Sequence, residues 1–197
     1  MLWLAASGAV SAQAADPGVA KARADSMRLP YTAADIHFMS GMISHHAQAI
    51  QMATWAPSHG ASAAVIRLTE RIINAQRDEI ASMQVWLRDR RQPVPAADPK
   101  GTKTIMGGSE HVTLMPGMLS ESQMKELDAA RGTEFDRLFL TFMIQHHRGA
   151  VAMVHELFSN RGAGQDLTVF KFASDVSVDQ TTEINRMAEM LLTLGSP

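Results

Sequence analysis

The stretch Asp35-Ile-His-Phe-Met-Ser-Gly-Met-Ile-Ser-His-His-Ala-Gln-Ala-Ile-Gln-Met52 returns later in the chain as Asp136-Arg-Leu-Phe-Leu-Thr-Phe-Met-Ile-Gln-His-His-Arg-Gly-Ala-Val-Ala-Met153. The offset is a constant 101 residues, and Asp, Phe, Met-Ile, His-His, Ala and Met recur in register. Chance does not place so many matching residues in one frame twice. The repeat therefore indicates two similar halves, each carrying the same potential metal ligands.

A second repeated pair indicates that another long helix follows each copy. Gln76-x-x-Glu79-Ile80-x-x-Met83 matches Gln180-x-x-Glu183-Ile184-x-x-Met187, now at an offset of 104 residues. Apolar residues at helical spacing predict these second helices over residues 64–90 and 167–194. The first helices should end near Trp55, where Pro57 follows, and near Asn160, where glycines follow.

Both first helices are predicted to begin in the same way. Thr32-x-x-Asp35 and Thr133-x-x-Asp136 resemble capping boxes in which Asp replaces the usual Glu. The two motifs lie at the offset of the repeat, so we expect both threonines to be N-caps.

The helices predict an all-α fold, a four-helix bundle made of two repeated helical hairpins plus a short connecting helix. No segment alternates like a β-strand. We expect one domain over residues 31–195, divided into repeat one at 32–91, a linker at 92–119, a short helix at 120–131 and repeat two at 133–194.

The N-terminus resembles an export signal. Residues 1–15 are uncharged, apolar and small, and Ala12-Gln13-Ala14 fits a cleavage site. No Lys or Arg precedes the apolar run, so a disordered tail is the alternative. We expect a periplasmic or secreted protein with a flexible segment at 16–30 and no membrane span after cleavage, since the run is shorter than the roughly 20 residues that a span needs.

The composition restricts the chemistry. The net charge is −2 and there is no basic tract, so nucleic-acid binding has no electrostatic support. The chain has 14 Met, 8 His and no Cys, so soft ligands must be thioethers and imidazoles. No nucleophile constellation, phosphate loop or nucleotide fingerprint is present, and the sequence favours a protein that is not an enzyme. Homo-oligomerisation stays open.

Helical phase predicts which side chains face the interior. Asp35, Met42 and His46 share one stripe, while His45 is rotated by about 100° to the edge beside Met52. Glu79 and Glu183 each fall in the middle of an apolar stripe, which is costly unless they are paired or bind a cation. We therefore expect an interior polar centre of Asp35, Glu79, Asp136 and Glu183, and metal ligands among Met42, His45, His46, Met52, Met143, His146, His147 and Met153.

Simpler roles stay open for several of these residues. Glu79 and Glu183 could instead hydrogen-bond to a histidine or to Gln76 and Gln180, and Met83, Met187 and Met190 could be ordinary core residues. His37 and His155 have no counterpart in the other repeat and are interpreted as surface residues or minor ligands. His59, just after Pro57, is expected to cap or decorate a loop.

The linker has its own cluster of possible soft ligands. Met106, His111, Met115 and Met118 could bind a soft ion there. A simpler role is that Leu114, Met115 and Leu119 pin the linker to the bundle.

The His-His repeats, Gln76-x-x-Glu79-Ile80, Met115-Pro-Gly-Met118-Leu-Ser and Phe135-Asp136-x-x-Phe139 resemble the bacterial domain-of-unknown-function family 305. The resemblance covers about residues 30–194 and implies a ferritin-like four-helix bundle. Members of that family are exported or membrane-anchored, and some are linked to copper binding and copper resistance. Two departures matter: neither half has the Glu-x-x-His of ferritin-type sites, and Gly41 stands where the second copy has Phe142.

The sequence is compatible with three functions. The first is an exported protein that binds copper through His and Met for buffering or resistance, because thioethers favour Cu(I) and imidazoles accept Cu(II). The second is a ferritin-like di-metal oxidoreductase with iron or manganese held by the interior Asp, Glu and His. The third is a bundle without metal, in which His and carboxylates form a buried proton-sensitive network.

Overall fold

The computed structural model describes residues 30–106 and 109–194, together with Gly18. The predicted signal peptide at 1–15 and nearly all of the segment at 16–30 lie outside these residues. The described part forms five helices and one β-hairpin: α1 Ala33–Thr54, α2 Ala63–Asp89, β1 Thr102–Met106, β2 Ser109–Thr113, α3 Glu121–Ala129, α4 Gly132–Ser159 and α5 Leu167–Leu194. The predicted all-α class is confirmed. None of the described helices is long and apolar enough to cross a membrane.

Three of the helices begin at side-chain caps, and the cap of α1 is the one that the sequence predicts. Thr32 caps α1 in a capping box, in which its N–H and hydroxyl each donate to Asp35 Oδ2 at 2.7 Å. Ser62 caps α2, and Ser120 caps α3 with Gln123 completing the box. These contacts satisfy backbone N–H groups that have no partner within the helix.

The predicted cap at Thr133 is wrong. The helix α4 begins at Gly132, and its N-cap residue Arg131 makes no side-chain capping bond. The N–H of Gly132 instead donates to the carbonyl oxygen of His59 at 2.8 Å. The carbonyl group of His59, in the loop of the first hairpin, therefore replaces a side-chain cap at the start of α4. Asp136 takes no part in capping and binds elsewhere.

The hairpins α1–α2 and α4–α5 pack face to face, with α1 against α4. Their buried apolar residues fall into two clusters. The first core cluster includes Met42, Met83 and Met153, and the second includes Met52, Met143 and Met187. On each helix the change from one cluster to the other occurs at a polar stretch: His45 and His46, Gln76 and Glu79, His146 and His147, or Gln180 and Glu183. A polar layer thus crosses the middle of the core.

The linker contains a β-hairpin that the sequence did not predict. Strand β1 pairs antiparallel with β2, with Thr102 opposite Thr113 and Met106 opposite Ser109. A two-stranded hairpin is marginally stable on its own in water.

After the hairpin, the linker packs closely on the bundle. A β-carbon on Gly149 would lie 2.0 Å from the carbonyl oxygen of Pro116, so only glycine permits this approach. Gln48 holds the same segment from α1, accepting from the N–H of Leu119 at 2.7 Å and donating to its carbonyl oxygen at 3.1 Å. Met115, Met118 and Leu119 are buried, whereas Leu114 is exposed. Met115 and Leu119 therefore pin the linker, and Leu114 does not.

Candidate metal centre

The two repeats meet at His45 and His146. Their ring centroids are 3.8 Å apart with an interplanar angle of 39°, and neither side chain is accessible to solvent. The sequence repeat makes these residues equivalent, so the contact joins the same position of each half. Helical phase placed both rings at the edge of the core-facing stripe, and that edge is where α1 and α4 touch.

The His45 ring has one hydrogen bond that assigns its tautomer. Nε2 lies 3.0 Å from the carbonyl oxygen of Pro116, which can only accept, so Nε2 carries the proton. Nδ1 is then an unprotonated lone pair, and it has no hydrogen-bond partner. In the second repeat, neither nitrogen of the equivalent His146 ring has a hydrogen-bond partner.

Both central rings are held in the neutral form. Burial lowers the pKa of His45 well below its usual value, and the neighbouring His46 lowers it further. Burial likewise lowers the pKa of His146, with His45 as the next cause. Neutral imidazole is the form that binds metals, so these rings are ready to act as ligands at neutral pH.

The other two histidines pair with glutamates inside their own hairpins. Nε2 of His147 is hydrogen-bonded to Oε2 of Glu183 at 2.7 Å. Nε2 of His46 lies 2.8 Å from Oε2 of Glu79, a close contact that is poorly aligned for a hydrogen bond. The glutamates are 23% exposed, less buried than their apolar stripes predict. Both Nδ1 atoms of His46 and His147 are buried without a partner.

Three further residues extend this polar layer between α2 and α5. The amide oxygens of Gln76 and Gln180 are buried without a hydrogen-bond partner. Burial raises the pKa of Asp179, and the charges of Glu79, Asp175 and Glu183 raise it further. The repeat did not predict Asp179 as a site residue, because repeat one has Ala75 at the equivalent position.

Asp35 and Asp136 lie away from the histidines. Asp35 is eleven residues before His46 on α1, which corresponds to about 16 Å along the helix axis. Its Oδ1 accepts from the N–H of Gly164, in the loop between α4 and α5, at 2.7 Å. Both carboxylate oxygens of Asp136 accept from the N–H of Ser62, in the loop between α1 and α2, at 3.2 Å. Each aspartate therefore holds the loop of the opposite hairpin.

The predicted thioether ligands are buried on the two sides of the polar layer. Met42 and Met143 each precede the second histidine of their pair by one helical turn, and both are fully buried. Met52 and Met153 follow the first histidine by seven residues, about 10 Å along the axis. Met42 and Met143 are thus the thioethers close to the layer, and Met52 and Met153 are more remote.

These residues suit a soft ion with few ligands. A buried polar atom without a partner costs about 1–3 kcal/mol, and six ring nitrogens of the four histidines in the polar layer have no hydrogen-bond partner. Among the described residues, no three His, Asp or Glu side chains converge well enough to hold an ion by themselves. Imidazoles completed by thioethers fit copper, whereas a carboxylate-rich di-metal site lacks the two aspartates that it would need.

Other sequence-predicted residues lie outside the layer. His37 and His155 are exposed on the bundle surface. His59 is buried, and its Nε2 lies 2.9 Å from the carbonyl oxygen of Asp128, so it ties the first hairpin's loop to the end of α3. Pro116 and Gly149 contribute to the site but were not predicted. Two sequence features could have indicated them: the Pro-Gly pair within the linker, and the difference between the repeats at Gln48 and its equivalent Gly149.

Comparisons with known proteins give one family. The model of a family described as a domain of unknown function, DUF305, matches residues 35–191. The crystal structure of a DUF305 protein from Streptomyces coelicolor, provisionally identified as secreted, is 30% identical with a TM-score of 0.66, over 83% of this chain and 94% of that chain. A comparison with curated proteins gives no match.

Structures of CopM with bound copper are also similar to this chain. The Cu(I)-bound form is 26% identical with a TM-score of 0.63, over 85% of this chain and 100% of CopM. The Cu(II)-bound form is 28% identical with a TM-score of 0.62, over 81% and 96%. CopM thus shares the fold, and it binds copper in both oxidation states.

Proposed function

Since this chain belongs to the DUF305 family, we propose that it is an exported copper-binding protein whose centre lies between its two repeats. The observation that carries the proposal is the buried contact of His45 with His146. Two neutral imidazoles with unpartnered nitrogens meet there, where α1 packs on α4.

The ion would take its few ligands from four histidines and two methionines. His45 offers Nδ1, since Pro116 keeps the proton on Nε2. His146 offers either nitrogen, and His46 and His147 offer Nδ1 while their glutamates orient the rings through Nε2. A carboxylate behind an imidazole raises the basicity of the ligand. Met42 and Met143 add thioethers, which favour Cu(I). Bound copper would supply a soft, redox-active Lewis acid, and the surrounding apolar clusters exclude water from it.

CopM supports the metal assignment, because a protein of the same fold binds Cu(I) and Cu(II). Export rests on the character of residues 1–15 and on the Streptomyces coelicolor relative. Burial of every ring suits tight retention, so buffering or resistance explains the centre better than turnover of a substrate.

One observation favours the alternative of a network without metal. The His46–Glu79 and His147–Glu183 contacts would persist in a bundle that binds no ion. Such a network would leave the central pair His45 and His146 without a role.

The test is a copper titration of purified protein against a competing chromogenic chelator, for Cu(I) under reducing conditions and for Cu(II) in air. We expect the His45→Leu/His146→Leu double variant to lose at least about tenfold in affinity, by analogy with losses measured around metal sites. His155→Leu, an exposed position on α4, is the matched control and should bind as wild type does. Equal affinity of wild type and double variant would reject the centre.

A further inference from the structure

The repeat breaks down at one place on the surface. The first copy carries His37 and Gly41, where the second carries Leu138 and Phe142. Leu138 and Phe142 are buried in the second core cluster, whereas His37 is exposed and Gly41 lies against the linker. Residues 37 and 41 are four apart, so they lie on the same face of α1. The two differences between the repeats therefore affect the same part of the α1 surface.

A crevice of about 40 Å³ opens at this spot. Three elements form it: α1 with His37, the linker turn with Met115 and Pro116, and the end of α4 with Met153 and Glu156. The linker supplies Met115 and Pro116 to the crevice of repeat one. In repeat two the corresponding space is filled, because Met52, Leu138 and Phe142 pack in the core.

Two thioethers converge within the crevice because residue 41 has no side chain. A β-carbon on Gly41 would lie 2.8 Å from Met115 Sδ and 3.6 Å from Met153 Cε. Both methionines are nearly buried, at 8% and 5% exposure. The N–H of Met115 donates to Met118 Sδ at 3.3 Å, which fixes the turn that carries Met115.

The mouth of the crevice adds an imidazole and a negative charge. His37 and Glu156 are exposed on α1 and α4, on either side of the two thioethers. Glu156 stands where repeat one has Trp55, so the carboxylate is another feature that the repeat does not explain. Soft thioethers below an imidazole and a carboxylate suit a soft monovalent cation.

We propose that this crevice is a second metal site, for a soft monovalent cation such as Cu(I), with Met115 and Met153 as thioether donors and His37 as the donor at the mouth. The site is separate from the centre at His45 and His146 and does not depend on it. The two share the linker turn, since Pro116 lines the crevice and also accepts the Nε2–H of His45. An ion in the crevice would therefore be one residue of linker away from the buried centre.

The test uses Ag(I), a redox-inert soft cation, and the intact chain carrying ¹³C-methyl methionine. We expect the methyl signals of Met115 and Met153 to shift during the titration, while that of Met124, in α3, does not. Substitutions of each methionine to Leu identify the signals. Silver that leaves the Met115 and Met153 signals unchanged at saturation would overturn the proposal.

Variants separate this site from the centre. His37→Leu should weaken silver binding to the crevice at least about tenfold, and the exposed His155→Leu is its matched control. His37 is on the surface, so this variant should fold. In the His45→Leu/His146→Leu variant the shifts of Met115 and Met153 should persist. Their loss in that variant would reject a separate crevice site, whereas their persistence alongside unaltered copper affinity would reject the centre alone.

Discussion

At the residue scale, His45 and His146 are the most consequential side chains because they are buried, neutral and in contact. A positive charge on either ring would have no carboxylate beside it, since Glu79 and Glu183 face His46 and His147. Protonation of this pair is therefore opposed by the folded structure itself, and folding should depend on pH.

The stability of the metal-free protein should fall as the pH drops below about 6.5, the ordinary pKa of histidine. The folded state keeps the pKa of His45 and His146 well below that value through burial. The unfolded chain therefore binds more protons in this range, and stability decreases with decreasing pH. Each histidine contributes a slope of up to about 1.4 kcal/mol per pH unit.

Urea unfolding with a chelator present, at pH 7.5, 6.5 and 5.5, measures this slope. The His45→Gln/His146→Gln variant should have a shallower dependence, because its central side chains do not titrate. A wild-type slope no steeper than that of the variant would contradict the prediction.

Two glycines should differ in their tolerance of a methyl group. In Gly149→Ala the new β-carbon would meet the backbone of Pro116 at 2.0 Å, and in Gly41→Ala it would meet the flexible end of Met115 at 2.8 Å. Overpacking against backbone costs about 1–3 kcal/mol, more than the roughly 1 kcal/mol that Ala gains over Gly in a helix. We expect Gly149→Ala to be destabilised in urea unfolding and Gly41→Ala to change little; the reverse order would contradict the contact geometry.

At the scale of elements, the two hairpins are braced to each other through their loops. Asp35 on α1 holds Gly164, and Asp136 on α4 holds Ser62. The bonds are to charged acceptors and are buried at the aspartate, so each should be stronger than an ordinary surface hydrogen bond.

Asp35→Ala and Asp136→Ala should each lower the free energy of unfolding by about 1–3 kcal/mol, because a backbone N–H loses its partner. Asp98→Ala, a half-buried linker position that accepts from Lys100 N–H at 2.9 Å, serves as a comparison with a smaller effect. Copper affinity of the folded variants should remain that of wild type. A large loss of copper affinity in Asp35→Ala without unfolding would instead place the aspartate in the metal centre.

The helices themselves were predictable because their signals are local. Periodicity located α2 within one residue, and the predicted start of the short helix at residue 120 is one residue before α3 begins. The cap of α4 was mispredicted because its partner, the carbonyl of His59, is distant in sequence. The β-hairpin was missed because it is short and lies in a Thr-rich segment that also resembles a loop.

The site was only partly predictable for a related reason. Helical phase gives the direction of a side chain but not which neighbouring helix lies there. It therefore put His46 and Glu79 on facing stripes, and the structure brings them within 2.8 Å. It also put Asp35 on the stripe of His46, although eleven residues of helix separate the two. His45 looked peripheral until the packing of α1 on α4 made that edge the interface.

At the scale of the whole molecule, the polar layer divides one bundle into two apolar halves. Each core cluster draws methionines from both hairpins, as with Met42 and Met153 in the first cluster. The hairpins thus share both clusters, while the layer between them contains unpartnered ring nitrogens. An ion bound in the layer would connect the hairpins at the place where buried ring nitrogens otherwise lack partners.

Copper or silver should therefore raise the melting temperature of the whole bundle. A ligand that binds only the folded state at 100 times its Kd stabilises it by about 2.7 kcal/mol. For a domain of this size that corresponds to a rise of roughly 5–10 °C, at about 2–4 °C per kcal/mol. Differential scanning fluorimetry of chelator-treated protein, with one and two equivalents of Ag(I), measures this rise in melting temperature.

Variants test whether the rise comes from an ion that bridges the two halves. His45→Leu/His146→Leu should lose most of the rise, because the ion no longer joins α1 to α4. His37→Leu should keep most of it, because its crevice lies at the surface. An equal rise in wild type and the double variant would show that metal stabilises the bundle without bridging its halves.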